Sequence, residues 1–120
     1  MLGGTYGELY DRYGGSLKTM GKEIHHIPAW DSTGVPERDG LAILMDRADH
    51  RKLNSTGSSD SAGCWRDDIG QMWEAGDQKQ AIETEIAEIQ TRDGEKYDEA
   101  LRQMLDRHDE RTSRPDPAPR

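Results

Sequence analysis

Five consecutive apolar residues, Leu41-Ala42-Ile43-Leu44-Met45, follow Gly40 and run directly into Asp46. A short apolar run bounded by turn signals is expected to be a buried strand. It constrains the fold because apolar material is scarce elsewhere. Hydrophobic residues make up 32% of the 120, Phe is absent and the mean hydropathy is −1.03, so the core must be thin. Trp30, Trp65, Trp73 and the four tyrosines are expected to supply the aromatic mass. This length supports one small domain, or one domain and a tail.

Around that run the chain reads as α+β. Thr5 can cap a short helix over 5–13, ended by Gly14-Gly15. Residues 22–27 predict a strand between Gly21 and Pro28, and 28–40 a loop rich in turn-forming residues. Asp46 is a good N-cap for a helix over about 47–54, closed by Gly57. Three apolar stripes at helical spacing follow: Ala62, Trp65, Ile69, Met72 and Trp73; Ala81, Ile82, Ile86 and Ile89; Tyr97, Ala100, Leu101, Met104 and Leu105. Gly76 and Gly94 punctuate them. The organisation expected is one domain over 1–110, with a strand–strand–helix unit at about 20–56, a helical part at about 59–110 and a disordered tail over 111–120. Cys64, the single cysteine, excludes an internal disulfide and a Cys-cluster zinc site, and is expected to be a buried small residue. No apolar run reaches membrane-spanning length. The N-terminus carries no basic-then-apolar leader, so any export is expected to be carried by something else.

The net charge of −8 is the wrong sign for binding nucleic acid through an overall field. The charge is unevenly distributed, however. Residues 14–57 hold six Lys/Arg and six Asp/Glu, whereas 58–120 hold nine against sixteen. The acidic half reads as solvated helix faces or as a docking surface for a protein partner.

Three of the four histidines fall in the neutral stretch: His25 and His26 before Pro28, and His50 beside Asp49. Neighbouring strand residues point to opposite faces. His25 and His26 can therefore share one site only where the strand ends, and Pro28 is consistent with such an end. A helix after the second strand would aim His50 back at the first, with Asn54 four residues on along the same face. Lys22, Arg47, Arg51 and Lys52 flank the histidines and are candidates for holding phosphates. His108, in a charged stretch near the tail, is expected to be solvated.

The block Lys22-Glu23-Ile24-His25-His26-Ile27-Pro28, followed by Met45-Asp46-Arg47-Ala48-Asp49-His50-Arg51 and Ser55-Thr56-Gly57-Ser58-Ser59, resembles the HNH/endonuclease VII superfamily of metal-dependent nucleases. Within it the chain looks like the branch found as C-terminal toxin domains of bacterial polymorphic (Rhs-type) toxins. The stretch Gly94-Glu95-Lys96-Tyr97-Asp98-Glu99-Ala100 adds to that likeness, which covers roughly residues 20–107. The resemblance implies a ββα-metal (His-Me finger) core with three further helices. It implies one divalent cation (Mg²⁺, Mn²⁺, Ni²⁺ or Zn²⁺) held by His25 and His50, and His26 as the general base. Asn54 is the third candidate ligand and Asp49 the alternative oxygen donor, although Asp49 should point elsewhere than His50. It further implies DNA as substrate, a cognate immunity protein as partner, and delivery within a larger effector acting in the cytoplasm of a target bacterium. On that reading Met1 is a boundary cut from a longer toxin. The chain departs from the branch at Leu53, where Thr is frequent, and it has no Cys-x-x-Cys knuckle.

Two other readings stay open on sequence alone. One is a metal-dependent ribonuclease with the same residues. The other is a non-catalytic interaction module whose histidines hold a structural metal; a closed site of that kind needs four good ligands, and only three clustered histidines are present.

Overall fold

The computed structural model describes residues 1–53 and 60–113. The chain is α+β. In order it forms β1 (Gly3–Thr5), α1 (Tyr6–Tyr13), α2 (Leu17–Met20), β2 (Lys22–His26), α3 (Trp30–Thr33), a 3-10 turn (Glu37–Asp39), β3 (Leu41–Asp46), α4 (Arg47–His50), α5 (Asp60–Glu74), α6 (Gln78–Asp93) and α7 (Asp98–Ser113). The three strands make one antiparallel sheet in the order β1-β3-β2. β3 is therefore the apolar run of the sequence, placed centrally. Its register sets Gly3 opposite Ile43 on one side, and Ile24 opposite Leu44 and His26 opposite Ala42 on the other.

A central strand apolar at every position needs cover on both faces. Leu41, Ile43 and Met45 face a core built with Ile27, Leu53, Ile82, Ile89, Tyr97, Ala100, Leu101 and Met104. Ala42 and Leu44 face a smaller cluster with Leu9 and Ile24, edged by Tyr6, Tyr13 and Leu17. Each large side chain so buried contributes roughly 1.5–3 kcal/mol. Aliphatic side chains carry most of this core. Of the aromatic residues expected to supply its mass, Tyr97 is buried in it and Trp73 packs against it half-buried, whereas Trp30 is 51% exposed.

The capped first helix is present as expected. The Thr5 hydroxyl accepts from the Glu8 N–H, and the Glu8 carboxylate accepts from the Thr5 N–H at 3.1 Å. The strand β1 in front of it has no sequence signature, being Gly-Gly-Thr. It exists because α7 packs directly over it: a Cβ on Gly3 would lie 2.0 Å from the Ala100 carbonyl oxygen. The Gln103 side-chain oxygen accepts from the N–H groups of Leu2 and Gly3, which satisfies donors on this sheet edge.

Other expectations need correction. The loop over 28–40 contains α3 and the 3-10 turn. The helix expected over 47–54 is α-helical for Arg47–His50 and tightens into successive turns up to Leu53; Asn54 and Gly57 lie outside the described residues. α7 runs to Ser113, so residues 111–113 are helix rather than tail, and 114–120 lie outside the described residues. Cys64 is exposed, because it sits about 140° around α5 from buried Ile69. Leu105 is likewise at the surface. Among the described residues no helix is long and apolar enough to cross a membrane.

Glu85 on α6 is 1% exposed. One of its oxygens accepts from Trp65 Nε1 at 3.3 Å and from the Ala29 N–H at 3.5 Å, while Oε2 is buried without a partner. Burial pushes its carboxyl up to about 8, against the opposing hydrogen bonds from Trp65 and Ala29. Unfolded, the group releases its proton near 4.5. Its contribution to stability is therefore full below about pH 4.5 and is lost as the pH rises through about 8. Glu85→Gln should match the parent near pH 5 and exceed it at pH 8 by on the order of a few kcal/mol, read from urea midpoints at the two pH values. Parallel stability curves for the two proteins would contradict this account.

Candidate functional site

The site is built on β2, an edge strand, and on α4, which follows β3 directly. Alternation along β2 puts Glu23 and His25 on the Ile43–Met45 side and Ile24 and His26 on the Ala42–Leu44 side. β2 ends at His26, but the backbone does not turn there. His26 is still in register with Ala42, and the Ile27 N–H donates to the Leu41 carbonyl at 2.8 Å. The two neighbouring rings therefore leave opposite faces, and the expectation that a strand end would turn both toward one point is corrected.

His25 meets His50 instead. Their ring centroids lie 4.9 Å apart with planes tilted by 58°. His25 is 3% exposed, and its Nε2 is buried with no hydrogen-bond partner. Burial, then the neighbouring His50 and His26, hold its pKa well below the usual imidazole range. His50 is oriented from behind by Glu23, whose Oε1 accepts from His50 Nδ1 at 3.0 Å. A carboxylate can only accept, so Nδ1 carries the proton, and in the neutral ring the lone pair lies on Nε2. Burial alone would raise the Glu23 carboxyl; the hydrogen bond and charge of His50, with Arg51 at 3.5 Å, outweigh it and hold it low.

His26 has different company. Its ring stacks on Tyr6 with centroids 4.4 Å apart and planes 4° from parallel. Its Nε2 lies 2.8 Å from the Glu37 carbonyl oxygen. That oxygen only accepts, so Nε2 donates, and the neutral ring keeps its lone pair on Nδ1. Burial lowers its pKa despite the opposing Glu37 carbonyl. Gly40 makes room for the ring, since a Cβ there would come within 2.8 Å of His26 Cδ2.

A polar clamp fixes α4. Asp46 does not cap the helix with its side chain as its residue type predicts. Its carboxylate pairs with Lys22 and with Lys96, the latter at 2.7 Å. Asp49 accepts from Lys96 at 2.7 Å and from the Tyr97 hydroxyl at 2.5 Å. Asp49 thus points toward the start of α7 and not toward the histidines. Tyr97 also accepts from the Asp46 N–H at 3.0 Å.

The two faces of β2 meet at its free edge. An open depression of about 520 Å³ there is lined by Tyr6 from the His26 side, by Glu23 and His50 from the other, and by Lys18, Lys22, Arg47 and Arg51. Three of the four expected basic residues line it; Lys52 is exposed but outside the lining, and Lys18 of α2 takes part instead. Asn54 lies outside the described residues.

The orphaned Nε2 of His25 and the lone pair on Nε2 of neutral His50 fit two imidazole ligands of a cation, with Glu23 as the carboxylate that orients one of them. Among the described residues no group of three or more His, Cys, Asp or Glu side chains is arranged to hold a metal. Glu23, Tyr6, the Glu37 carbonyl and Gly40 were missed from sequence. Only Glu23 had a signal, its i, i+2 spacing to His25 on one strand face.

No family model, curated protein or solved structure matches the chain.

His25 should remain neutral at pH 6, where an ordinary imidazole of pKa about 6.5 is mostly protonated. A depressed folded pKa gives stability that is fully present above the unfolded value of about 6.5 and is lost as the pH falls from there through the folded value. Carbon-13 and nitrogen-15 shifts of the ring read the state directly, and a charged His25 ring at pH 6 would refute the buried site.

Proposed function

We propose that this chain is a metal-dependent endonuclease with a ββα-metal core formed by β2, β3 and α4. The observation that carries the reading is the pairing of His25 with His50, the latter lining a basic depression together with Glu23, while a separately polarised His26 stands on the other face of the same edge strand. Catalytic metal sites keep positions open for substrate and water, and two histidines leave them open. His25 and His50 would hold the cation, which when bound supplies Lewis-acid stabilisation of charge on the phosphodiester oxygens. Asn54 is the proposed third ligand.

His26 is the proposed general base. Its lowered pKa keeps it neutral near pH 7, and its Nε2–H bond to Glu37 leaves Nδ1 to accept. Water adds to phosphorus as its proton passes to Nδ1. The bond from phosphorus to the leaving sugar oxygen breaks, and that oxygen takes a proton from solvent. Lys18, Lys22, Arg47 and Arg51 hold the flanking phosphates. This local basic edge offsets the net charge of −8, because backbone contacts act within about a Debye length. The resemblance of the His-His and Asp-His blocks to polymorphic toxin nucleases supports the rest of the proposal: DNA as substrate, a larger secreted effector, action in a target bacterium's cytoplasm, and a cognate immunity protein.

Purified chain should nick plasmid DNA with added divalent cation and stop with EDTA. His26→Ala should lower the rate about 10²- to 10⁴-fold while leaving cation affinity unchanged. Cleavage that survives EDTA, or an equally active His26→Ala, defeats the proposal; cleavage of RNA in preference to DNA redirects it to a ribonuclease.

Glu23→Ala should weaken cation binding about 10- to 100-fold by releasing His50, as isothermal titration with Ni²⁺ or Zn²⁺ would show. Unchanged affinity would mean that His50 is not a ligand.

A further inference from the structure

His26 borders a second cavity, distinct from the basic depression and of about 180 Å³. Trp30 of α3 and Trp73 of α5 line it, and its other walls include Pro28, Val35 and Leu41. The polar residues lining it come from α7 and, as Thr33, Asp39 and Gln78, from elements around it. Among them is His108, whose Nδ1 is buried with no hydrogen-bond partner, so this histidine is not the solvated residue its surroundings in the sequence predict. Arg111 is fixed beside it by donating to the Asp39 carbonyl at 2.8 Å. Trp30 is the most exposed large hydrophobic side chain among the described residues.

An apolar, half-enclosed cavity with aromatic walls and a few converging polar groups is the pattern of a small-molecule or base pocket. The two indoles supply aromatic wall for a flat ring, and Thr33, Asp39, Gln78, His108 and Arg111 supply polar groups around it. The pocket also shares a wall, His26, with the proposed hydrolytic centre. We propose that it receives one unstacked nucleobase of the substrate strand, stacked on Trp30 and read at its edge by His108, while the adjoining phosphate lies at the β2 edge. The proposal rests on the nuclease reading for its ligand class. It adds that the enzyme engages single-stranded or locally opened nucleic acid, since a paired base cannot enter such a pocket.

The test uses the intact chain in EDTA, where binding is read without cleavage. Deoxynucleoside 5′-monophosphates and 2-deoxyribose 5-phosphate are titrated in turn, followed by tryptophan fluorescence and by the His108 ring resonances. A mononucleotide should quench the fluorescence, move the His108 signals and bind at least about tenfold tighter than the base-less sugar phosphate. Trp30→Ala should remove most of that difference, and a thermal melt checks that the variant, altered at a half-exposed position, keeps its fold. His108→Gln supplies a second variant, expected to shift the ranking of the four bases. Equal affinity for sugar phosphate and mononucleotide, no binding at millimolar concentration, or full base-dependent binding by Trp30→Ala overturns the pocket. A nuclease that remains active with none of these base effects refutes the pocket alone, whereas base binding by a chain that never cleaves refutes the nuclease reading alone.

Discussion

The burial of β3 on both faces is the constraint from which the rest of the structure follows. Leu41, Ala42, Ile43, Leu44 and Met45 are all buried, in a chain with little other apolar material. Alternation divides them between two unequal clusters, one under α6 and α7 and one under α1. The larger face demands a long helical cover. α7 comes so close that β1 needs glycine where the two backbones meet. The smaller face is closed by a helix of two turns with its own capping box. Once β3 is central, β2 is left as an edge, and it carries His25 and His26.

The same alternation organises the site. Two adjacent histidines on one regular strand cannot point the same way, so each acquires its own environment. His25 sinks beside His50 and loses its affinity for protons through burial. His26 stacks on Tyr6 and is fixed through one nitrogen by a backbone carbonyl. Fixed partners also settle which nitrogen of each ring bears the proton. Glu23 does so for His50 and the Glu37 carbonyl does so for His26.

Charge in this protein works locally. The net value of −8 says little about the β2 edge, where Lys18, Lys22, Arg47 and Arg51 gather. Part of the acidic excess is consumed inside the fold. Asp46 and Asp49 hold Lys22, Lys96 and Tyr97 and so position α4, and Glu8 pairs with Arg107 at 3.0 Å to bind α1 to α7. Such part-exposed pairs contribute modestly to stability, and their effect here is positional.

Local sequence determined what depends on local periodicity and caps: the buried strand over 41–45, the strand starting at Lys22, the Thr5-capped helix and the three long helices. It also brought His25 and His50 together, because a strand–strand–helix order returns the helix to the first strand. Tertiary structure alone decided the remainder. β1 has no pattern of its own and is made by pairing with β3 beneath α7. The side-chain role of Asp46 was set by Lys22 and Lys96 from other elements, which competed successfully with its intrinsic capping preference. Whether His25 and His26 converge depended on where pairing with β3 stops, and that register is fixed by packing across the sheet. Glu23 behind His50 and Tyr6 against His26 are long-range contacts, as is the gathering of His108 and Trp30 around one cavity, and no spacing along the chain encodes them.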